Sequence, residues 1–398
     1  MSNRRYHERS PRLIALCICI FGLTFFPYNL SAKKSAEPQR LEAATPISSL
    51  SLPPLSAEQR AQLDQVRADP PPEEIVRDSH YWVSNEHNHQ LWHPFIQGLG
   101  GALVGVGTDQ NYLLAGWARS SILILMDFDV EIPTIHEVYA YFFSISATPA
   151  DFISRWSKQY GQDSADQLEA HFQPIAEKVA EAEAKEKGLS EAKRDQYIQR
   201  RAKRYVSHRV KIFQRTRGLL WRRLTKTRDK YRALKIGTFL DDQSQYDHIR
   251  SLWAGGRVLA IRGDLTADLT MLDIGDALRG MGEQLTVVYL SNAEQYFTLT
   301  PRYRRNLIEL PWAATSYALR TMGWRSLGFL DEDEKYHYNV QSGENLVAWM
   351  KQSRTTKAGR MMFKGRVLKV DPGFSVMEKL PPEEKKAPEI APAARTPR

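Results

Sequence analysis

The chain has 398 residues and a formal net charge of +9, with 42% hydrophobic and 10% aromatic side chains. This composition supports a folded core and excludes a wholly disordered or fibrous chain. With only two cysteines, the sequence also excludes a disulfide framework and a zinc site built from several thiolates.

Positive charge is concentrated in one segment. From Lys193 to Lys235, 17 Lys and Arg residues stand against two acidic residues, so the segment carries +15 and the rest of the chain −6. Such a segment suits nucleic acid, an anionic membrane surface, or amphipathic helices whose aromatic side chains face the core. Because no nucleic-acid-binding motif accompanies it, the sequence favours the amphipathic helices and predicts no nucleic-acid partner. The interleaved aromatic residues include Tyr205, Phe213, Trp221 and Tyr231.

The amino terminus has the pattern of a targeting segment. Four arginines among the first 12 residues precede an apolar run of 14 residues, Leu13 to Phe26, and small residues follow at Ser31 and Ala32. This order is typical of a secretory signal, and the run is shorter than the roughly 20 residues that span a bilayer as a helix. We therefore expect residues 1–32 to be a signal peptide or membrane anchor. The protein would be exported to the cell envelope, on its periplasmic or surface side, and any membrane association would run through this segment.

Two further segments lack the apolar residues of a core. Proline, serine, alanine and glutamate are frequent in residues 33–56, and residues 378–398 have a similar composition. We interpret the first segment as a linker and the second as a disordered tail. The folded domain is then expected at residues 57–377.

The first part of this domain has the pattern of a βαβ unit. An apolar strand at 101–107 runs into glycines, residues 108–111 open a helix that continues to 119, and a second apolar strand at 122–126 ends in Asp127-Phe-Asp129. Continuous apolar runs of this kind are typical of parallel strands covered by helices on both faces.

A long helical insertion, about residues 135–235, separates this unit from the next strands. The strand pattern resumes at 257–262, which ends in Gly263-Asp264, and again at 285–290, with a helix between them at about 267–281. Residues 336–341 and 366–370 are candidates for late, antiparallel strands. The sequence thus predicts an α/β fold: a Rossmann-like, mostly parallel sheet with a helical insertion between strands two and three.

Each of the four early strands ends in glycine or polar residues, and ligands of open parallel sheets bind beyond those ends. Gly105 and Gly107 let backbone approach a ligand at a helix start. Asp127 or Asp129 is placed to accept hydrogen bonds from ribose hydroxyls. Asp264 faces an adenine edge or caps the helix that follows. The segment Ser84-Asn85-Glu86, which leads into the first strand, is expected to line the substrate side of the same crevice.

Four segments of the chain resemble a family of uncharacterised bacterial proteins that includes a leptospiral surface lipoprotein and myxobacterial relatives. They are Gly105-Val-Gly-Thr-Asp-Gln-Asn111, Met126-Asp-Phe-Asp129, Gly263-Asp-Leu265 and Tyr289-Leu-Ser-Asn-Ala-Glu-Gln-Tyr296. The resemblance covers about 81–373, and the last segment is its most specific part. It implies the Rossmann-like fold of class I S-adenosylmethionine-dependent methyltransferases.

The same resemblance implies S-adenosylmethionine as cofactor and assigns roles along the crevice. Asp127 or Asp129 would hold the ribose and Asp264 the adenine, while Asn292, Glu294 or Tyr296 would orient or assist the methyl acceptor. The cofactor-binding residues would be Gly105, Gly107, Asp109, Gln110, Asn111, Asp127, Asp129, Asp264 and Ser291.

Two departures from the methyltransferase pattern favour a second interpretation. Leu103 stands where those enzymes usually carry an acid, and Asp109 where they often carry a third glycine. Moreover, S-adenosylmethionine is made in the cytosol, so an exported domain would meet little of it. The leading hypothesis is a methyltransferase-like domain with a nucleoside crevice. The alternative is a non-catalytic binding or structural protein of the cell envelope that keeps the fold.

Two weaker hypotheses concern other chemistry. Asp127-Phe-Asp129 after an apolar strand also suits a haloacid-dehalogenase-like phosphatase, with Asp127 as nucleophile, Asp129 as acid/base and Mg²⁺ on the phosphate. Four histidines precede the first strand, but their spacing does not place three on one helix face, so no metal site is predicted. They are His80, His87, His89 and His93.

Overall fold

The computed structural model describes residues 52–71, 80–323, 335–368 and 373–382. The predicted signal segment, most of the predicted linker and residues 383–398 of the predicted tail lie outside the described residues. In the described part of the chain, no helix combines the length and the apolar character needed to cross a membrane.

One eight-stranded sheet organises the domain, in the order β3-β2-β1-β4-β5-β6-β8-β7. The first five strands in this order pair in parallel, which is the arrangement of a Rossmann-like sheet and confirms the predicted α/β class. The strands are β1 Ala102–Val106, β2 Ile122–Asp127, β3 Val258–Arg262, β4 Leu285–Ser291, β5 Trp312–Gly323, β6 Tyr336–Ser342, β7 Arg366–Leu368 and β8 Phe374–Met377.

The late strands depart from the parallel pattern. β6 runs antiparallel to β5, as predicted; β8 runs parallel to β6, and β7 antiparallel to β8. The sequence pattern missed β5 and β8. β5 carries polar residues in its second half, including Arg320 and Thr321, both fully buried, and so it lacks the long apolar run that marked the other strands.

Helices cover both faces of the sheet. In β1 and β2, alternate side chains point to opposite faces, so Leu103 and Leu123 enter one core and Val104 and Ile124 the other. The helices that precede or connect the strands are α1 Ala57–Asp64, α2 His93–Ile96, α3 Gln110–Ala118, α4 Glu131–Ile145, α5 Pro149–Arg155, α6 Gly161–Glu186, α7 Glu191–Ala233, α8 Gln243–Ala254, α9 Thr270–Gly280, α10 Pro301–Ile308, α11 Gly343–Met350 and α12 Ala358–Gly365.

The insertion between β2 and β3 consists of α4 to α8, and α6 and α7 form a long hairpin within it. Phe213 and Tyr231 of α7 are buried in the core, Tyr205 is half-buried, and Trp221 remains exposed. Three of these four aromatic residues therefore face inward, as expected for an amphipathic helix. The basic residues of α7 lie mostly on its outer side.

The described beginning of the predicted tail is held by the domain. The backbone N–H of Lys379 donates to Gly365 O at 2.9 Å, and the indole N–H of Trp349 donates to Lys379 O at 3.0 Å. Residues 378–382 are therefore part of the folded unit.

Candidate functional site

The strand ends expected to form a crevice lie along one edge of the sheet. The parallel register aligns Val106 with Met126 and Asp127 with Arg262, so the segments that follow β1, β2 and β3 emerge side by side. β4 pairs with β1 on its other side. At about 4.8 Å between strands, the four ends span roughly 14 Å. Along the edge the order of the predicted residues is Asp264, Asp129, Gly107, Asn292.

The glycine loop after β1 is filled by its own side chains. A methyl group on Gly105 would clash with Oδ1 of Asn111, and one on Gly107 would lie 2.6 Å from Nε2 of Gln110. Both amide side chains fold back and donate to Val106 O, at 3.2 Å from Gln110 and 3.0 Å from Asn111. The two glycines thus make room for residues of this chain, in the place where a ligand would otherwise approach the backbone.

Asp109 forms a buried ion pair with Arg223 of the long helix α7. Its Oδ2 lies 2.9 Å from Arg223 Nε, and its Oδ1 accepts from the backbone N–H of Ser84 at 3.1 Å. The side chains of both partners are less than a tenth exposed. Arg223 also donates to Glu86 O, at 3.2 Å. The helical insertion therefore places a guanidinium group directly against the start of α3.

Residues 80–89, here called the crossing segment, run over the ends of the central strands. His80 Nδ1 lies 2.6 Å from Asp129 Oδ2, beyond β2. Farther along, the backbone N–H groups of His87 and Asn88 both donate to the hydroxyl of Tyr338 in β6, at 2.8 Å. The segment therefore reaches from the predicted ribose acid to the far side of the crevice.

Glu86 is the anchor of the crossing segment. Its carboxylate is fully buried and accepts hydrogen bonds of 2.6 Å from the hydroxyls of Tyr289, Ser291 and Thr321. Burial opposes ionisation, but His89, at 3.5 Å, and the hydroxyls of Ser291 and Thr321 outweigh it, so the pKa of Glu86 lies below its ordinary value. Ser291 adopts a φ of +50°, a conformation unusual for a residue with a side chain. The ends of β4 and β5 are thus sealed by a charged group of the chain itself.

The two acids after β2 differ in environment. Burial raises the pKa of Asp127 to about 7, and the neighbouring charge of Asp129 adds to the rise. Asp127 Oδ1 accepts from the backbone N–H of Asp129 at 2.9 Å, while Asp129 pairs with His80. Both carboxylates therefore already have partners within the domain.

The backbone of the glycine loop is also held from α4. His136 is fully buried, with Nε2 3.0 Å from Gly107 O and Nδ1 2.8 Å from the hydroxyl of Tyr112. These partners fit a neutral imidazole that donates from Nε2 and accepts at Nδ1. Burial lowers the pKa of His136 to about 4.

This low pKa predicts a pH dependence of stability. In the unfolded chain His136 takes up a proton near pH 6.5, and in the folded chain it does so near pH 4. The contribution of the neutral imidazole to the unfolding free energy is therefore complete above pH 6.5 and is lost as the pH falls toward 4. When the pH is lowered from 7 to 4.5, the unfolding free energy of the wild type should fall by about 2 kcal/mol more than that of His136→Gln, since each unit of pKa shift is worth 1.36 kcal/mol. Urea unfolding at the two pH values measures this. An equal pH dependence of the two proteins would contradict the neutral, buried imidazole.

Asp264 caps the loop that follows β3. Its Oδ1 accepts from the backbone N–H and the hydroxyl of Thr266, at 2.7 and 2.8 Å. Its own N–H donates to the buried Asp69, which also accepts from the N–H groups of Leu269 and Thr270. α9 has Leu269 as its N-cap residue. Asp264 therefore stabilises a local turn and does not cap the helix.

The candidates after β4 separate into different surroundings. Asn292 Nδ2 lies 3.3 Å from the hydroxyl of Tyr336, which also accepts from Asn85. Glu294 is buried, 2.5 Å from Arg320 Nε, and accepts from the hydroxyl of Tyr303 at 2.6 Å. Tyr296 is 57% exposed. Among the three, only Asn292 lies next to the crossing segment.

The four histidines before β1 do not come together as metal ligands. His80 contacts Asp129, His87 contacts Arg223, His89 lies near Glu86, and His93 packs edge-on against Trp117. Within the described ranges, no three His, Cys, Asp or Glu side chains are grouped closely enough to hold a metal ion.

An open cavity of about 400 Å³ remains at the same edge of the sheet, beside β5. It lies between the turn after β4, the end of β5 and α12. Its lining includes Gln295, Met322, Lys357, Arg360 and Lys364. This cavity is displaced from the glycine loop, so it is not the nucleoside position that the sequence pattern predicts.

The sequence pattern named Glu86, Asp109, Gln110 and Asn111 as candidates, but it missed Arg223, Tyr336 and Tyr338. Arg223 belonged to a run of 17 basic residues, and nothing in that run distinguishes the buried guanidinium from its exposed neighbours. Tyr336 and Tyr338 lay in a strand expected only as a late, antiparallel element.

The fold and the site define a Rossmann-like α/β domain whose ligand edge is occupied by its own chain. A family model described as a domain of unknown function, DUF7790, matches residues 81–378, and the chain belongs to that family. No curated protein matches the chain.

Proposed function

We infer that this domain is a non-catalytic binding or structural module that uses the Rossmann-like fold as a scaffold. The observation that carries the inference is the occupied crevice. Asn111 and Gln110 fill the glycine loop, Arg223 pairs with Asp109 at the helix start, and Glu86 is bonded to three hydroxyls. A nucleoside would have to displace buried, charged groups from their partners, which is costly.

The chemistry of the candidate catalytic residues supports the same proposal. Glu294 is ion-paired with Arg320, and Asp129 with His80. Methyl transfer depends mainly on positioning the two substrates, and phosphatase chemistry needs a carboxylate free to attack phosphorus. Asp127 lacks that freedom, because it holds the backbone of the next turn and its raised pKa disfavours the charged form near neutral pH. Export to the cell envelope remains part of the proposal, on the strength of the amino-terminal sequence alone.

Calorimetric titration of the full chain with S-adenosylmethionine and S-adenosylhomocysteine tests the proposal. We expect the dissociation constant of both compounds to lie above about 1 mM, which corresponds to very weak binding. Submillimolar binding of either compound would contradict the occupied crevice and support a methyltransferase-like site.

The variant Asp129→Asn separates the two hypotheses further. If Asp129 holds a ribose, the substitution should weaken ligand binding by about 1–3 kcal/mol, the scale of a charge-assisted hydrogen bond. If Asp129 only pairs with His80, neither the wild type nor the variant should bind the ligand. The variant should then lose at most about 1 kcal/mol of unfolding free energy, because His80 is partly exposed. Titration and urea unfolding of the same two proteins distinguish these results.

A further inference from the structure

The outer side of α7 carries a row of exposed cations along its length. Helix geometry of 100° per residue places six basic side chains within an arc of about 80°, and at 1.5 Å per residue they extend over about 39 Å. All six are exposed. We call this row the basic ridge; its members are Arg200, Arg204, Lys211, Arg215, Arg222 and Lys226.

The basic ridge does not take part in holding the fold. The ion pairs that α7 arginines make to other elements involve different residues: Arg201 to Glu183 of α6, Arg209 to Glu137 of α4, and Arg223 to Asp109. His208 Nε2 also lies 2.8 Å from Glu131 of α4. These four side chains lie on the inner side or flank of the helix. The ridge cations form no ion pair with any other residue in the described ranges. Their charge is therefore available to a partner.

The neighbouring helix does not neutralise the ridge. α6 is rich in glutamate and aspartate, yet the ion pair it makes to α7 is that of Glu183 with Arg201, at 2.7 Å. The rest of the chain carries −6 against +15 for residues 193–235. An anionic surface would attract the ridge and repel the body, and so would hold the domain in one orientation.

We propose that the basic ridge docks the domain on the anionic headgroups of a membrane surface. A row of six cations about 39 Å long on one side of a helix can meet several phosphates of a headgroup layer at once. Trp221, 41% exposed, and Leu219, 38% exposed, flank the row on its two sides, where an indole and an aliphatic side chain reach the headgroup level. The apolar amino-terminal segment that the sequence predicts to meet a membrane would bring the ridge near such a surface.

Nucleic acid is the less suitable polyanion. Surfaces that bind single-stranded nucleic acid stack bases on aromatic side chains within the cationic groove, whereas between Arg200 and Lys226 no Phe, Tyr or Trp lies within the arc of the basic ridge. The proposal does not depend on the occupied crevice, so either inference can fail alone.

Flotation of the full chain with vesicles tests the ridge. Vesicles of phosphatidylglycerol and phosphatidylcholine are compared with phosphatidylcholine alone, for the wild type and for the triple variant Arg204→Gln, Lys211→Gln, Arg215→Gln. Each cation near an anionic surface contributes about fivefold to partitioning, so the variant should bind the anionic vesicles about 100-fold more weakly. Binding to neutral vesicles, which reports the amino-terminal segment, should not change.

A second triple variant is the control for net charge. Lys351→Gln, Arg354→Gln and Lys357→Gln remove three exposed cations from the loop between α11 and α12, outside the insertion. This control should keep its affinity for anionic vesicles within about twofold. Equal loss in both triple variants would show a nonspecific charge effect and overturn the proposal. Loss of duplex-DNA binding with unchanged vesicle binding would overturn it in favour of nucleic acid.

A local readout excludes indirect effects. Brominated phosphatidylglycerol vesicles should quench the fluorescence of Trp221, and the difference between wild type and Trp221→Phe isolates that residue. Quenching should disappear in the ridge variant even if the amino-terminal segment still holds the chain on the vesicle. Circular dichroism confirms that all variants are folded. Absence of Trp221 quenching in the wild type would contradict the docking.

Discussion

Replacing Glu86 with alanine is expected to lower the unfolding free energy of the domain by about 4 kcal/mol. The substitution leaves the hydroxyls of Tyr289, Ser291 and Thr321 without their common acceptor. The first and the last of these residues are fully buried, so water does not readily replace the carboxylate. Urea unfolding at pH 7 measures the loss.

Two further variants make this result specific. Glu86→Gln keeps one carbonyl acceptor and should lose less than Glu86→Ala. Glu169→Ala, at an exposed site of α6, should change the unfolding free energy by less than about 0.5 kcal/mol. Because the pKa of Glu86 lies below its ordinary value, its contribution is complete above about pH 4.5 and is lost as the pH falls. A cost below 1 kcal/mol for Glu86→Ala would show that the crossing segment is not anchored there.

Replacing Arg223 with methionine is expected to cost about 3–5 kcal/mol, because it leaves the carboxylate of Asp109 buried and unpaired. Asp109→Asn should cost a similar amount for the reciprocal reason. In the double variant the second substitution removes a group that has already lost its partner. The loss of unfolding free energy in the double variant should therefore be about 2 kcal/mol smaller than the sum of the losses in the two single variants. Chemical unfolding of the four proteins completes the cycle.

The neighbouring residue supplies the control for Arg223. Arg222 is exposed, and Arg222→Met should change stability by less than about 0.5 kcal/mol. Additive losses in the double variant would show that Arg223 and Asp109 contribute independently. The crevice would then be closed by packing and not by the ion pair.

The central sheet could be predicted from the sequence because its strands are continuous apolar runs that end in glycine or polar residues. β1, β2, β3 and β4 all carry this pattern, and helices on both faces require it. β5 does not, because Arg320 lies in its second half, where it pairs with Glu294 and donates through Nη1 to Asn339 and Gln341. A strand whose buried side chains form a polar network does not show the hydrophobic pattern from which strands are predicted.

The location of the candidate site could be predicted, but its occupant could not. Parallel strands bring their carboxyl ends to one edge by geometry alone, so Gly107 and Asp129 had to be near each other. What fills that edge depends on partners far away in sequence: Arg223 is 114 residues from Asp109, and Thr321 is 235 residues from Glu86. Such pairings follow from the packing of whole elements, and a local pattern does not contain them.

The long sequence separation of these contacts has a consequence for the order of folding. The crossing segment precedes β1, yet its partners Thr321 and Tyr338 lie in β5 and β6, which are synthesised more than 230 residues later. The first part of the domain to leave the ribosome must therefore wait, with Glu86 solvated, until nearly the whole sheet exists. Closing the crevice is then a late step of assembly, and a nascent chain that stops before β4 would leave Glu86 without any of its three hydroxyl partners.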